Sequence, residues 1–488
     1  MGVEMAGARL LAPFFGTSLY VWAVLIGLIM VYLTAGYYLG GRLADRFPML
    51  DALCLLTLLA GLTVGLIPLV SEPILRWSAV GFDELSAGVF LGSLAAVLLL
   101  FALPVIALGC VSPWAVRLAV SSVQEAGHAA GSIYALSTCG SLAGTFITVF
   151  LAIPTIGTRR TILCLGMVLI AASLPAAYRR WPVTLLAPAP LVLLLLLPPG
   201  AVRAAQGGTL IYEGESAYYY IQVVQSGSTR ELVLDEGHAV HSVYDPTRLL
   251  SGEYWDYFLA APLFSPGYSS GRIRHIAVLG LGGGTAVRLF AAAYPQARID
   301  GVEIDPAILS VARRYFDMRE PQLTTYAEDA RYFLLTHRRR YDVVAVDAFR
   351  QPYIPFQLTT TDFFRLVRSH LTRSGVVAIN AGHTATDYRL VNAIARTMAT
   401  VFPSVAIMDV PGTINSVIVA SNRPSSPRIL RHNAARSRGI TRTVAMRALR
   451  QGNLRLPRRG GTIFTDDLAP VEQLIDQIVL DYVRAGGA

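Results

Sequence analysis

The 488-residue sequence predicts two domains in series: a multi-pass α-helical membrane domain, then an α/β Rossmann-like domain with a small β-hairpin region at its N-terminal end. Three observations carry this reading. The N-terminal part holds long uncharged runs near the ~20 residues needed to cross a bilayer's hydrocarbon core. From His275 onward, strand-like segments alternate with helix-like ones, the pattern of a doubly wound and mainly parallel sheet. Gly280-Leu-Gly-Gly-Gly284 closes the first of those strands, and Glu303 closes the next, 23 positions beyond Gly280.

The uncharged runs are Leu10–Gly41, Ala52–Ser71, Leu85–Val116, Ala129–Thr158, Thr161–Tyr178 and Val183–Val202. A secretory signal supplies one short apolar region, so this number predicts an integral membrane domain of five or six helices over residues 1–203. Pro104, Pro188 and Pro190 are expected to kink their helices. Gly131, Ser132, Gly140, Ser141 and Gly144 suit close helix–helix contact. Arginines fall in the expected loops or at helix ends, and Gly40–Arg46 reads as a short basic loop on the cytoplasmic side. With no acid or base in the middle of an apolar run, nothing there marks a transport site. Five further full crossings from that loop would put the rest of the chain outside. Either the soluble domain is exported or one segment is re-entrant or interfacial, and the short, proline-rich Val183–Val202 run is the one expected not to cross.

The soluble part begins at Gly207. Its first region, 207–272, is β-rich: Glu213–Gln225 and Thr229–Leu234 read as a hairpin turned at Ser226–Ser228. Glu253–Leu263 reads as a helix. Residues 273–423 form the Rossmann-like region. Its predicted elements are strand 275–280, helix 286–294, strand 298–304, helix 306–316, a short strand at Thr324–Ala327 and helix 329–336. Strand Tyr341–Asp347, helix Thr361–Leu371 and strand Gly375–Asn380 follow. All 41 basic residues are arginine, which excludes a lysine Schiff base and a P-loop lysine. All four cysteines lie in the apolar half, so the soluble part has no thiolate metal site, and no metal is expected.

The glycine turn and the acid at that spacing suit a nucleotide-binding βαβ unit, the acid taking ribose hydroxyls. The same features would also fit a tight turn in a ligand-free α/β domain. Gly280, Glu303, Asp329 and Asp347 all fall at strand carboxyl ends, where such folds bind ligands.

The motifs Glu215–Tyr218, Leu234–Gly237, Tyr254-Trp-Asp256, Leu279–Gly284, Val302–Pro306, Glu328–Arg331 and Tyr341–Asp347 occur in the order seen in spermidine synthases. The whole chain resembles the membrane-fused bacterial branch of that polyamine aminopropyltransferase family, whose helical segment is transporter-like. The likeness covers roughly residues 207–400 and Thr465–Pro470. Val3–Arg9 resembles the second half of a first helix, so the chain is expected to start within an element. The resemblance implies a fold of the S-adenosylmethionine-dependent transferase type and a role in polyamine biosynthesis. It also implies a co-substrate, decarboxylated S-adenosylmethionine or S-adenosylmethionine itself. Gly280, Gly282, Gly283 and Gly284 would line the nucleoside and sulfonium. Glu303 would accept both ribose hydroxyls, and Asp329 the adenine amino group, with Ala330 contributing backbone. Asp347 would be the catalytic acid that takes a proton from the attacking amine or orients it, with Tyr254 as its hydroxyl partner. Read from the residues alone, Asp347 and Asp329 also suit helix N-caps, Glu303 a solvated strand-end acid, and Tyr254 a core aromatic.

Two departures touch the acceptor end. Thr285 stands where the family has an aspartate, and Arg350 where it has a second acid; His241 replaces a glutamine. His241, Asp256 and Arg350 are the acceptor-site candidates. If Arg350 enters the cleft it disfavours a diamine and suits a carboxylate, so methyl or aminocarboxypropyl transfer from S-adenosylmethionine competes with aminopropyl transfer. A third reading is a non-catalytic nucleoside- or polyamine-sensing domain on a helical bundle.

Residues 424–488 form an Arg-rich segment and a terminal helix, with ten arginines and no acid between Pro424 and Thr465. Membrane lipids are the nearer partner for such a segment and nucleic acid is not expected; a mobile solvated segment is the bland alternative. The other expected partner is a small-molecule amine acceptor, and the assembly is left open, a homodimer among the forms it allows. The expected location is the bacterial inner membrane, with the soluble domain on the cytoplasmic side.

Overall fold

The computed structural model describes residues 1–15, 19–81, 88–120, 122–196, 205, 207–235, 240–348, 354–450, 452–458 and 460–484. The chain divides into two compact units, one of residues 1–204 with 213–220, the other of 205–212 with 221–487.

In the first unit the helices are α1 (Gly2–Phe15), α2 (Leu19–Arg46), α3 (Leu50–Gly81), α4 (Gly88–Gly109), α5 (Val111–Ala119), α6 (Ala126–Phe146), α7 (Ile153–Ile156), α8 (Thr158–Arg180) and α9 (Ala189–Leu196). Among the described residues five stretches are long and apolar enough to cross a membrane: Val21–Arg46, Leu50–Ser78, Leu91–Ala119, Val123–Ile156 and Thr158–Arg180. Four sequence expectations change here. The run Leu10–Gly41 is shared between two helices, α1 and α2. Gly40–Arg46 is not a loop but the last two turns of α2, which reverses at 47–49. A Cβ on Gly40 would lie 2.5 Å from the Cα of Cys110, so this glycine serves close packing against the α4–α5 junction. Pro104 lies inside α4, but Pro188 and Pro190 precede and open α9, where proline fits the first turn, so they kink nothing. Finally, the small residues of α6 serve close contact only in part: a Cβ on Gly131 or Gly140 would meet nothing within 4 Å, whereas one on Gly144 would lie 3.5 Å from the backbone nitrogen of Gly2 in α1. A tighter contact joins α3 and α8, where a Cβ on Gly166 would come within 2.6 Å of the Gly61 carbonyl oxygen. The described part of the last apolar run, Pro182–Leu196, ends in an α-helix of 8 residues, far short of a span.

Beyond the apolar helices come β1 (Thr209–Glu215), β2 (Tyr220–Ser226), β3 (Thr229–Leu234) and β4 (Val240–Tyr244), a four-stranded sheet in that order. The single strand expected over 213–225 is broken at 216–219, because Ser216 Oγ accepts from the backbone N–H groups of Tyr218 and Tyr219 at 3.0 and 2.9 Å and turns the chain. The helix expected at Glu253–Leu263 is one α-turn, α10 (Tyr254–Tyr257), followed by tighter 3₁₀ turns over Phe258–Phe264. Pro262 removes a helical donor there, and all seven residues are buried.

The remaining elements are β5 (His275–Leu279), α11 (Thr285–Ala293), β6 (Arg298–Glu303), α12 (Pro306–Tyr315), β7 (Leu323–Ala327), α13 (Ala330–Thr336), β8 (Tyr341–Val346), α14 (Thr361–Ser369) and β9 (Leu371–Gly382). After them come α15 (Arg389–Ala399), β10 (Ser404–Asp409), β11 (Asn415–Ser421), α16 (Pro427–Arg436), α17 (Gly439–Ala448), β12 (Leu454–Arg455) and α18 (Val471–Arg484). The eight-stranded sheet has the order β12-β10-β11-β9-β8-β5-β6-β7, parallel from β9 to β7. Alternation decides its two faces. Ile276 and Val278 join one buried cluster with α11, α16 and α17; Ala277 and Leu279 join the other with α13, α14 and α15. The part of the arginine-rich segment over Pro427–Ala448 is therefore packed as α16 and α17. Leu430, Ala434, Val444, Ala445 and Ala448 are core; Arg428, Arg431, Arg436 and Arg442 take the outer faces of α16 and α17, while Arg447 turns toward buried Asp256.

Candidate active site

Sheet order does most of the positioning. In β8-β5-β6-β7 the carboxyl ends carry Asp347, Gly280, Glu303 and Asp329 side by side. With neighbouring strands ~4.8 Å apart, these four positions span roughly 14 Å of one rim, about the length of a nucleoside with a short side chain.

Gly280 is required where it stands. Its φ is +90°, and a Cβ there would lie 2.5 Å from the Asp347 carbonyl oxygen. Gly282, at φ +52°, would place a Cβ 2.6 Å from Ser242 Oγ, the atom that accepts the Gly283 N–H at 2.7 Å. The turn is thus held between the end of β8 and strand β4. Gly284 is the residue before α11, and Ala330 is the buried first residue of α13.

Glu303 is buried, and its Oε2 accepts the N–H of Leu281 at 3.2 Å and of Gly282 at 3.0 Å, while Oε1 accepts the N–H of Asp305 at 3.2 Å. A carboxylate has about four lone-pair directions, so the described residues leave one, on Oε1. Bidentate ribose binding by this carboxylate requires the 3.2 Å contact to Leu281 to yield. Burial pushes the Glu303 carboxyl above the usual range, against the lowering effect of those N–H groups. Asp329 caps α13: its Oδ1 accepts from Arg331 N at 2.8 Å and Tyr332 N at 2.9 Å. Its Oδ2 makes no hydrogen bond among the described residues.

Asp347 is the most perturbed group on the rim. Among the described residues three donors converge on it: Trp255 Nε1 at 2.9 Å and Tyr254 OH at 3.3 Å to Oδ2, and Asn380 Nδ2 at 3.4 Å to Oδ1. Asn415 Nδ2 donates to Asn380 Oδ1 at 3.1 Å and so turns the Asn380 amide with its NH₂ toward Asp347. Burial outweighs these donors and pushes the Asp347 carboxyl up to about 8. The Tyr254 hydroxyl is raised as well, first by burial and then by Asp347. Trp255, Asn380 and Asn415 escape a sequence reading: the first reads as core, and the asparagines lie on β9 and β11, whose adjacency needs the folded sheet.

Of the acceptor-end candidates, Asp256 does not face Asp347. Asp256 is fully buried. Its Oδ1 accepts from Ser251 N and Oγ at 3.0 and 3.1 Å, its Oδ2 accepts from Gly252 N at 2.9 Å, and Arg447 lies 3.6 Å from Oδ2. One residue past Trp255, it faces the 251–252 turn and not the rim. Thr285 Oγ1 donates to the Val243 carbonyl and accepts its N–H, both at 2.9 Å, which ties α11 to β4. His241 lies in β4, its carbonyl oxygen 3.1 Å from where a Cβ on Gly282 would stand. Arg350 lies outside the described residues. Farther off, Asp466, in the Thr465–Pro470 motif, accepts from Arg331 Nη1 at 2.9 Å and from Thr360 Oγ1 at 2.6 Å, joining α13 to α14. Among the described residues no cluster of three His, Cys, Asp or Glu side chains is arranged to hold a metal.

Residues 263–423 match the spermine/spermidine synthase domain. A probable polyamine aminopropyl transferase of Bifidobacterium longum is 36% identical over 296 residues, which are 56% of this chain and 64% of that protein. The polyamine aminopropyltransferase of Vibrio vulnificus is 32% identical over 213 residues, 41% of this chain and 69% of that one. The crystal structure of a probable spermidine synthase from Corynebacterium glutamicum overlaps 54% of this chain and 98% of its own, at 21% identity and a TM-score of 0.44.

Proposed function

This chain belongs to the polyamine aminopropyltransferase family, and on that premise we propose that its α/β unit transfers the aminopropyl group of decarboxylated S-adenosylmethionine to a small amine. The observation that carries the reading is the rim on which Asp347, Gly280, Glu303 and Asp329 stand at four consecutive strand ends. Asp329 Oδ2 and the remaining lone pair of Glu303 Oε1 would accept from the adenine amino group and the ribose. The glycine turn would lie under the sulfonium end, beside Asp347.

The chemistry asks little beyond this. The amine nitrogen attacks the aminopropyl carbon bonded to sulfur; the C–N bond forms as the C–S bond breaks. The electron pair goes to sulfur, leaving neutral methylthioadenosine, and the amine proton passes to Asp347. An ordinary carboxylate is a poor base toward an alkylammonium near pKa 10.4. A carboxyl pushed to about 8 closes most of that gap and suits general-base work near neutral pH. Tyr254 and Trp255 would hold its Oδ2, while Asn380 would hold Oδ1. The test is product identity: with purified full-length protein and an amine, methylthioadenosine should accumulate. S-adenosylhomocysteine would instead mean methyl transfer, and binding without either product would mean a sensor.

We assign the chain to the bacterial inner membrane, a reading supported by the five membrane-length stretches among the described residues. With the 47–49 turn on the cytoplasmic side, four further crossings end at Arg180 on the same side, and the short helix α9 adds none. The α/β unit would then lie in the cytoplasm, with its arginines toward anionic headgroups. A homodimer is compatible with this arrangement.

A further inference from the structure

A cleft of about 940 Å³ opens beside the start of β5, between the 267–272 segment, the end of α11 and the junction of α16 with α17. It is not the rim site, which lies at the carboxyl end of β5. Arg272, Arg436 and Arg438 line it with His432, and no acid is among its lining residues. None of the three guanidiniums has an ion-pair or hydrogen-bond partner among the described residues, and all three residues are exposed.

The walls are built and not merely charged. Asn433 is buried and donates to the carbonyls of Leu263 at 2.7 Å and Ser265 at 2.9 Å, which anchors α16. Ser437 Oγ donates to the Asn433 carbonyl at 2.8 Å, and the Tyr268 and Tyr294 hydroxyls meet at 3.3 Å. At the mouth, no side chain caps the first turn of the ten-residue α17, whose Gly439 and Thr441 line the cleft. Arg438 precedes that turn, and cations near a helix N-terminus are unfavourable. A concave surface of one sign focuses its field. Each of these costs is relieved by one thing, an anion.

We propose that this cleft binds a phosphate-bearing ligand through Arg272, Arg436 and Arg438. Planar guanidiniums match phosphate oxygens in paired hydrogen bonds. The volume lies in the range that holds a nucleotide-sized molecule. A soluble phosphate ester and a phospholipid headgroup share this chemistry. The inference is independent of the transferase reading, because it rests on no rim residue.

Calorimetric titration of the full-length protein in neutral detergent tests it, with inorganic pyrophosphate and dioctanoyl phosphatidylglycerol as probes and dioctanoyl phosphatidylcholine as control. Saturable binding of at least one anionic probe is expected, weakened about tenfold or more in the Arg436→Gln/Arg438→Gln protein. Arg431→Gln, exposed on α16 but outside the cleft, and Glu303→Ala, on the rim, should both leave it within about twofold. Thermal melts establish that each variant is folded. Binding of pyrophosphate alone points to a soluble ligand; binding of phosphatidylglycerol in competition with pyrophosphate points to a headgroup. No saturable binding of either probe, or equal weakening by Arg431→Gln, overturns the site.

Discussion

Trp255 Nε1 donates to Asp347 Oδ2 at 2.9 Å, closer than the neighbouring Tyr254 hydroxyl at 3.3 Å. The two rings lie with centroids 4.3 Å apart, so consecutive residues of one α-turn converge on a single carboxylate oxygen. An indole N–H can only donate. It therefore favours the ionised carboxylate at every pH, whereas the tyrosine hydroxyl can reverse its role.

Trp255→Phe should accordingly raise the Asp347 carboxyl further above about 8. A hydrogen bond to a charged group contributes ~1.5–3 kcal/mol, and a pH unit is ~1.4 kcal/mol. The midpoint of the kcat/KM–pH profile should move up by on the order of one unit. An unmoved midpoint would mean that the indole only packs.

Asp347→Asn should lower turnover by about 10²–10⁴ while leaving methylthioadenosine affinity within a few-fold. The same variant makes a stability prediction of definite sign. The folded carboxyl, at about 8 against the ordinary aspartate value of 3.8, holds its proton longer than the unfolded one does. The native state is thus penalised as pH rises between those values, by up to ~1.4 kcal/mol per unit. The asparagine protein should match wild type near pH 4 and melt higher near pH 8. Equal melting temperatures at pH 8 would show that burial does not act on this group.

Activity of the wild-type protein should rise from pH 7 toward pH 9, because the base form of Asp347 grows through its pKa of about 8. A profile flat over that range would separate Asp347 from the proton transfer.

Glu303→Ala removes a ligand contact and also the acceptor for the Leu281, Gly282 and Asp305 N–H groups. Nucleoside affinity should fall tenfold or more, at ~1.4 kcal/mol per decade. Calorimetry with methylthioadenosine reads this directly. Unchanged affinity would leave Glu303 as a tether of the glycine turn alone.

Gly280→Ala should cost at least ~1–3 kcal/mol from its positive φ, with added strain from a Cβ 2.5 Å from the Asp347 carbonyl oxygen. Because that contact moves Asp347, both melting temperature and turnover should drop. A variant with wild-type turnover would show that the turn adjusts without disturbing β8.

Periodicity made much of this chain legible in its sequence. Apolar runs of bilayer length gave the helical half, and strands alternating with helices gave the parallel sheet, because burial imposes those repeats on the residues that satisfy it. The glycines and the acids Glu303, Asp329 and Asp347 could be read for the same reason: each sits at a strand end, and strand ends are local features. Tertiary structure alone decided which strands are neighbours, and so which acids share a rim. It brought Asn380 and Asn415 to Asp347 from β9 and β11, turned Asp256 toward Ser251, and engaged Thr285 with Val243. It also laid the arginine-rich segment as two packed helices around a cleft. Those outcomes depend on contacts between residues far apart in the chain, and no local pattern of residues encodes a long-range contact.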